Sequence, residues 1–180
     1  MSDTENPLGF APPEDVPIEY MRRTRDYYLA LGFDNPYRWA HYREVPFQPL
    51  AKPLAEARLA LITTAAPYQP GKGDQGPGAP YNAAAKFYRV YSQPSDQLAD
   101  LRISHVGIDR AHTTAEDINS YFPMAALQAA AKAGRVGEVA PRFHGVPTDR
   151  SQAKTLQRDC PEVLERLQAD KADAALLIAN

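Results

Sequence analysis

The sequence predicts an α/β protein, a three-layer sandwich on a mainly parallel sheet, with a proline-rich N-terminal arm. Three observations predict it. Residues 57–64 and 172–179 are short apolar runs bounded by turn residues, as buried strands are. Segments of helical spacing lie between them, and glycines stand where those helices should stop. Strands that alternate with helices form a parallel sheet, because each parallel pair needs a crossover connection.

Residues 1–17 are rich in proline and lack periodicity, so they read as a flexible arm before one α/β domain over 18–180. Ile18, Met21, Tyr28 and Leu29 set a helix over 18–31, closed by Gly32. In 36–46, Tyr37, Trp39 and Tyr42 surround Arg38, His41 and Arg43. With an acidic net charge, aromatic packing onto the core outweighs nucleic-acid binding there. The first strand, 57–64, runs into Ala65-Ala66 through Thr63-Thr64, small and hydroxyl-bearing as loops at carboxyl strand ends often are. Four glycines and four prolines in 67–82 predict a mobile lid outside the sheet, not a phosphate-binding loop.

Short strands are predicted over 87–91 and 101–106. Met124, Leu127 and alanine filling predict a helix over 124–133 that Gly134 ends. Residues 136–146 read as irregular. The helix over 151–170 should break or kink at Pro161. The run 172–179 reads as a buried central strand.

At 180 residues, 44% hydrophobic and 23% charged, the composition suits one globular domain. A net charge of −2 gives no pull toward nucleic acid. No apolar run reaches the roughly 18 residues that span a bilayer. The polar, acidic start, Met-Ser-Asp-Thr-Glu-Asn-Pro, lacks the parts of a signal peptide, so the expected address is cytoplasmic with no membrane partner. Cys160 is the only cysteine, which excludes an internal disulfide and a cysteine-based zinc site. Alone on a predicted helix, it reads as an indifferent residue rather than a nucleophile.

The densest chemistry lies in 102–123, where His105, Asp109, His112, Asp117, Asn119 and Tyr121 crowd together. So many polar groups need solvent, a ligand or one another. His105 closes a predicted strand, at the edge where a parallel sheet presents ligands, and suits general acid–base work. Asp109 is placed to orient it. Asp117 and Asn119 flank Ile118 and, in extended chain, point to the same side, to grip an amine and a carboxylate; a turn-capping role competes. Thr63 and Thr64 would share the His105 pocket, and Arg142 with His144 forms a second, loop-borne anion site. The spacing of His105, Asp109 and His112 matches no standard metal pattern, so no metal is expected.

Five blocks carry a resemblance: 58–65, Ile103-Ser-His105, Asp117-Ile-Asn-Ser-Tyr-Phe-Pro123, Gly134-Arg-Val-Gly137 and 172–178. In their order and spacing the chain resembles the glycine/sarcosine/betaine reductase selenoprotein B family, which includes the D-proline reductase selenoprotein subunit. Residues 18–50 look like the start of its short proteobacterial members. The resemblance implies reductive cleavage of a carbon–nitrogen bond in a small amino-acid-like substrate. A selenocysteine or cysteine attacks that substrate, and a thiol reductant or partner reductase subunit completes the cycle. It places the Sec or Cys motif directly after the strand 172–179, where this sequence reaches Asn180. Two expectations follow: a complete, shortened member of the family, or a domain truncated at its carboxyl end by a selenocysteine codon read as a stop. No other cofactor is evident, and a homo-oligomer stays open. Two other functions compete: a non-redox lyase or hydrolase using His105 with Asp109 and Asp117, and a catalytically silent binding or assembly subunit.

Overall fold

The computed structural model describes residues 20–33, 43–45, 47–103, 114–148 and 151–179. The chain divides into two units, Met1–Trp39 and Ala40–Asn180, and each is described by itself. In the first, helix α1 (Tyr20–Ala30) ends at Gly32, whose φ of 84° is the left-handed backbone that glycine adopts without steric cost. The predicted arm lies outside the described residues, as does most of the aromatic segment 36–46.

The second unit holds strands β1 (Arg58–Thr63), β2 (Ala66–Pro67), β3 (Tyr91–Pro94) and β4 (Leu101–Arg102). Helix α2 (Met124–Lys132), β5 (Glu138–Val139) and β6 (Arg142–Gly145) follow. Next come α3 (Gln152–Lys154), a π-helical stretch Thr155–Asp159, α4 (Cys160–Ala169) and β7 (Ala174–Ile178). β1 is the centre. β7 pairs with it in parallel from Leu59 to Thr63 along one edge. A strand has two edges, so β5 and β6 share the other, also in parallel, at its start and its end. β3 adds on antiparallel outside β6. Mixed helix and strand on a mostly parallel sheet is the α/β class.

β1 reads as its sequence promised: Leu59, Ala60, Leu61 and Thr63 are buried, as a strand covered on both faces must be. Its amino end is clamped by charge. The Arg58 guanidinium bridges the Glu138 carboxylate at 2.7 and 2.8 Å and donates to the Asp170 carbonyl. The Arg58 backbone N–H donates to the Asp173 carboxylate at 2.8 Å. That bond, with Lys52 beside it, holds the Asp173 carboxyl below the usual carboxylate range.

Four local expectations need correction. β7 is a parallel partner of β1, but among the described residues nothing pairs with its outer edge, and Leu176 and Leu177 are 41% and 63% exposed. An apolar run reports β propensity, not which neighbours the strand finds. Residues 136–146 are not irregular: β5 and β6 lie there, recruited by β1. The strand placed at 87–91 starts instead at Tyr91. Of the strand placed at 101–106 the described residues hold β4, which pairs with β2 apart from the main sheet, while 104–106 lie outside them. The helix does not break at Pro161. That proline sits in the first turn of α4, and the missing N–H is accommodated by the wider π turn just before it.

The core joins Leu59, Leu61, Leu101, Phe122, Leu127 and Phe143 into one cluster, with the Phe122 and Phe143 rings 4.5 Å apart. Tyr91 ties β3 to β1 across this core, since its hydroxyl donates to the Ala65 carbonyl at 2.7 Å. Its ring lies over Gly145, where an added Cβ would come within 1.8 Å of a ring carbon. Gly145→Ala is therefore expected to destabilise by about 1–3 kcal/mol, as overpacking does. Urea unfolding checks this. The loss should shrink in a Tyr91→Ala background, and equal losses in both backgrounds would show that the clash is not the cause.

Candidate functional site

The carboxyl end of β1 organises the site. Thr63 is fully buried, and its hydroxyl donates to the Tyr121 carbonyl at 3.0 Å while accepting from the Ala65 N–H at 3.1 Å. Tyr121 is held at this edge, and its hydroxyl reaches the Leu101 carbonyl at 3.4 Å. Burial pushes its phenol above the ordinary value, the Arg102 charge opposing, so it stays protonated near neutral pH.

Tyr121 forms one wall of a pocket of about 480 Å3. Leu98, Leu101, Ile103 and Ile118 supply apolar lining, and Asp100, Arg102 and Glu116 supply charge. The glycine- and proline-rich segment closes one side through Gln75, Gly76 and Pro77. It is shaped by its own bonds. The Gln69 backbone N–H donates to the Gln75 side chain at 3.0 Å, and the Gln75 amide returns a bond to the Gln69 carbonyl at 2.8 Å. The segment therefore lines the pocket and stays out of the main sheet. Ligand-sized concavities beyond the carboxyl ends of parallel strands are where α/β proteins bind small molecules.

The expected site residues fall in three places. His105 and Asp109 lie outside the described residues, as does His112; Ile103, two residues before His105, lines the pocket. Thr63 does not line it but holds Tyr121, which does; Thr64 is buried next to it. Asp117 and Asn119 are not extended. Asp117 caps a 3-10 turn, Ile118–Ser120, accepting from the Asn119 backbone and side-chain amides at 2.9 Å each. Both are exposed, and the residue between them, Ile118, faces the pocket.

Arg142 and His144 stand on β6 rather than on a loop, and both face the Asp170 carboxylate. Arg142 chelates the Asp170 carboxylate through Nε and Nη2, at 2.8 to 3.1 Å. His144 is fully buried, with Nε2 3.3 Å from Asp170 Oδ2 and Nδ1 2.8 Å from Ser92 Oγ. Arg166 can only donate, and does so to Ser92 Oγ at 2.6 Å. The Ser92 proton therefore points at Nδ1, which leaves the neutral imidazole protonated on Nε2, toward Asp170. Ser92, His144 and Asp170 have the residue types of a hydrolytic triad. None of them lines the pocket, however, and His144 offers no surface to a substrate. They fasten the segment that ends α4 to β3 and β6.

Sequence reasoning missed Arg102, Tyr68 and Asp170. Arg102 and Asp100 are two apart at a strand, hence on one side, and that was a readable signal. Asp170 becomes informative only when folding brings it to residues 26 and 28 positions away. Cys160 is free and exposed at the start of α4.

The described residues thus form a mostly parallel α/β unit with a mixed polar and apolar pocket walled by Tyr121. The glycine/sarcosine/betaine reductase selenoprotein B family model matches residues 30–180, and the chain belongs to that family. The match begins well before the five sequence blocks. Neither a curated protein nor a solved structure matches the chain.

Burial holds the His144 pKa below its ordinary 6.5; the Asp170 charge opposes this, and Arg142 and Arg166 add to it. As pH falls through 6.5 the unfolded chain takes up a proton that the folded protein refuses. His144 thus leaves stability intact above 6.5 and removes it progressively below. Urea midpoints measured across this range should drop more steeply in the wild type than in His144→Gln. Parallel curves would assign the slope to other groups.

Proposed function

We propose that this chain is a component of a thiol-dependent oxidoreductase that cleaves a carbon–nitrogen bond in a small amino-acid-like molecule. The observation that carries this reading is the family match over residues 30–180. In the reaction, a selenolate or thiolate forms a bond to the carbon that bears nitrogen. The carbon–nitrogen bond breaks, and nitrogen leaves as an amine with a proton. A dithiol then supplies two electrons that release the reduced carbon product and regenerate the nucleophile.

Within this reading, His105 delivers the proton to the departing nitrogen and Asp109 orients it. Thr63 and Tyr121 keep the pocket wall fixed. Cys160, the chain's one thiol, stands exposed on a helix with no second thiol to pair with, so the nucleophile is a selenol or thiol outside residues 1–180 or on a partner subunit. The end of β7 suits such a group: the Thr64 N–H donates to the Ile178 carbonyl at 3.3 Å, which sets the strand's carboxyl end beside Thr63 and Thr64. In this reading the sheet is the middle of a three-layer sandwich, with Phe143 and His144, successive on β6, turned to opposite sides of it.

The test uses the complex purified from its native host through a tag on this chain. Incubated anaerobically with dithiothreitol and sarcosine, betaine or D-proline, it should release an amine or open the ring. Alkylation of selenols and thiols should abolish that turnover. Turnover that survives complete alkylation would assign a non-redox reaction instead. No turnover of any of the three would leave a binding or assembly role.

A further inference from the structure

We infer that Arg102 is the carboxylate anchor of the Tyr121 pocket, and that the ligand it seats has an apolar body larger than that of glycine. The inference rests on the proposed reductase reading and assigns the place and the groups that hold its substrate.

Size comes first. A pocket of about 480 Å3 lies in the range of small-molecule sites, and glycine, without a side chain, would leave most of it to water. The side chains of Leu98, Ile103 and Ile118 reward an apolar body with burial, whereas a fully polar ligand would leave them wet.

Charge comes second. Among the described lining residues Arg102 is the one cation. It is not a loose surface side chain. Its guanidinium lies 5.1 Å from the centre of the Tyr68 ring, and Nη1 donates to the Leu101 carbonyl at 2.9 Å and to the Asp100 carboxylate. Both bonds use one nitrogen. A guanidinium has a second, bidentate edge that matches a carboxylate, and stacking on Tyr68 fixes its plane before any ligand arrives. Glu116, on the same lining, is the complementary partner for a cationic nitrogen.

Backbone strain comes third. Ala115 is buried on this lining with φ 59°, a left-handed conformation disfavoured for any residue with a Cβ. Strain of this kind collects where a protein must hold a ligand-facing group in one geometry, here the adjoining Glu116.

Calorimetric titration of the full chain tests the inference. Betaine and proline should bind at least tenfold more tightly than glycine, and pyrrolidine, which lacks the carboxylate, should not bind. Arg102→Gln should weaken proline and betaine by roughly ten- to a hundredfold, the range for a lost charge-assisted hydrogen bond. Tyr68→Leu, which keeps the charge and removes the stack, should give an intermediate loss, and it serves if Arg102→Gln fails to fold. Wild-type affinity in a folded Arg102→Gln variant, or in Tyr68→Leu where the former does not fold, overturns the anchor. So does glycine binding as tightly as proline. Either result leaves the reductase reading standing if the native complex still releases amine. Conversely, Arg102-dependent binding without turnover in that complex would keep the anchor and remove the reductase reading.

Discussion

The hydroxyl of Thr63 is the small interaction on which the site depends. A buried hydroxyl must be satisfied, and Thr63 achieves this by reaching two segments that the sheet alone would not join. Its bond to the Tyr121 carbonyl brings residues 118–124 onto the end of β1, and its bond from Ala65 turns the chain toward β2. From there the order is forced. β2 pairs with β4, which positions Leu101 and Arg102, and Tyr121 closes back onto the Leu101 carbonyl. The pocket is what lies between these fixed points. Valine at 63 would match threonine in shape yet leave the Tyr121 carbonyl and the Ala65 N–H buried and unpaired, the more expensive half of a broken hydrogen bond.

Legibility in the sequence tracked how local the cause was. β1 and the helix closed by Gly134 could be read because an apolar run or a glycine stop is written in neighbouring residues. β6 could not. Arg142-Phe-His-Gly145 alternates outward polarity with one aromatic and looks like loop, yet His144 and Gly145 are buried. Burying His144 is possible because Ser92 and Asp170 arrive from distant segments, and burying Gly145 because Tyr91 needs the room. β7 failed in the opposite sense. Its composition asks for cover on both sides, and among the described residues β1 provides one side.

The same division separates what was seen of the site from what was missed. The polar stretch 102–123 borders the pocket, and Ile103, Ile118 and Tyr121 line it. The roles inside it depend on contacts of long sequence separation. Arg102 becomes a held, oriented cation only through Tyr68, thirty-four residues earlier and across the β2–β4 pair. Arg142 looked equally placed in the sequence, but its Nε and Nη2 face Asp170 and it does not line the pocket.

Two arginines beside carboxylates thus illustrate how one residue pair serves opposite ends. At Arg142, Asp170 is 7% exposed and faces the guanidinium with both oxygens, so desolvation and mutual attraction nearly balance and the pair acts chiefly to fix α4 against the sheet. At Arg102, Asp100 is solvent-exposed and binds a single nitrogen, which neutralises little and orients much. Both guanidinium groups keep N–H donors beyond these bonds, but of the two Arg102 alone lies on the wall of the pocket. The difference in place, rather than any difference in residue type, separates an arginine that fastens α4 to the sheet from one that stands on the pocket wall.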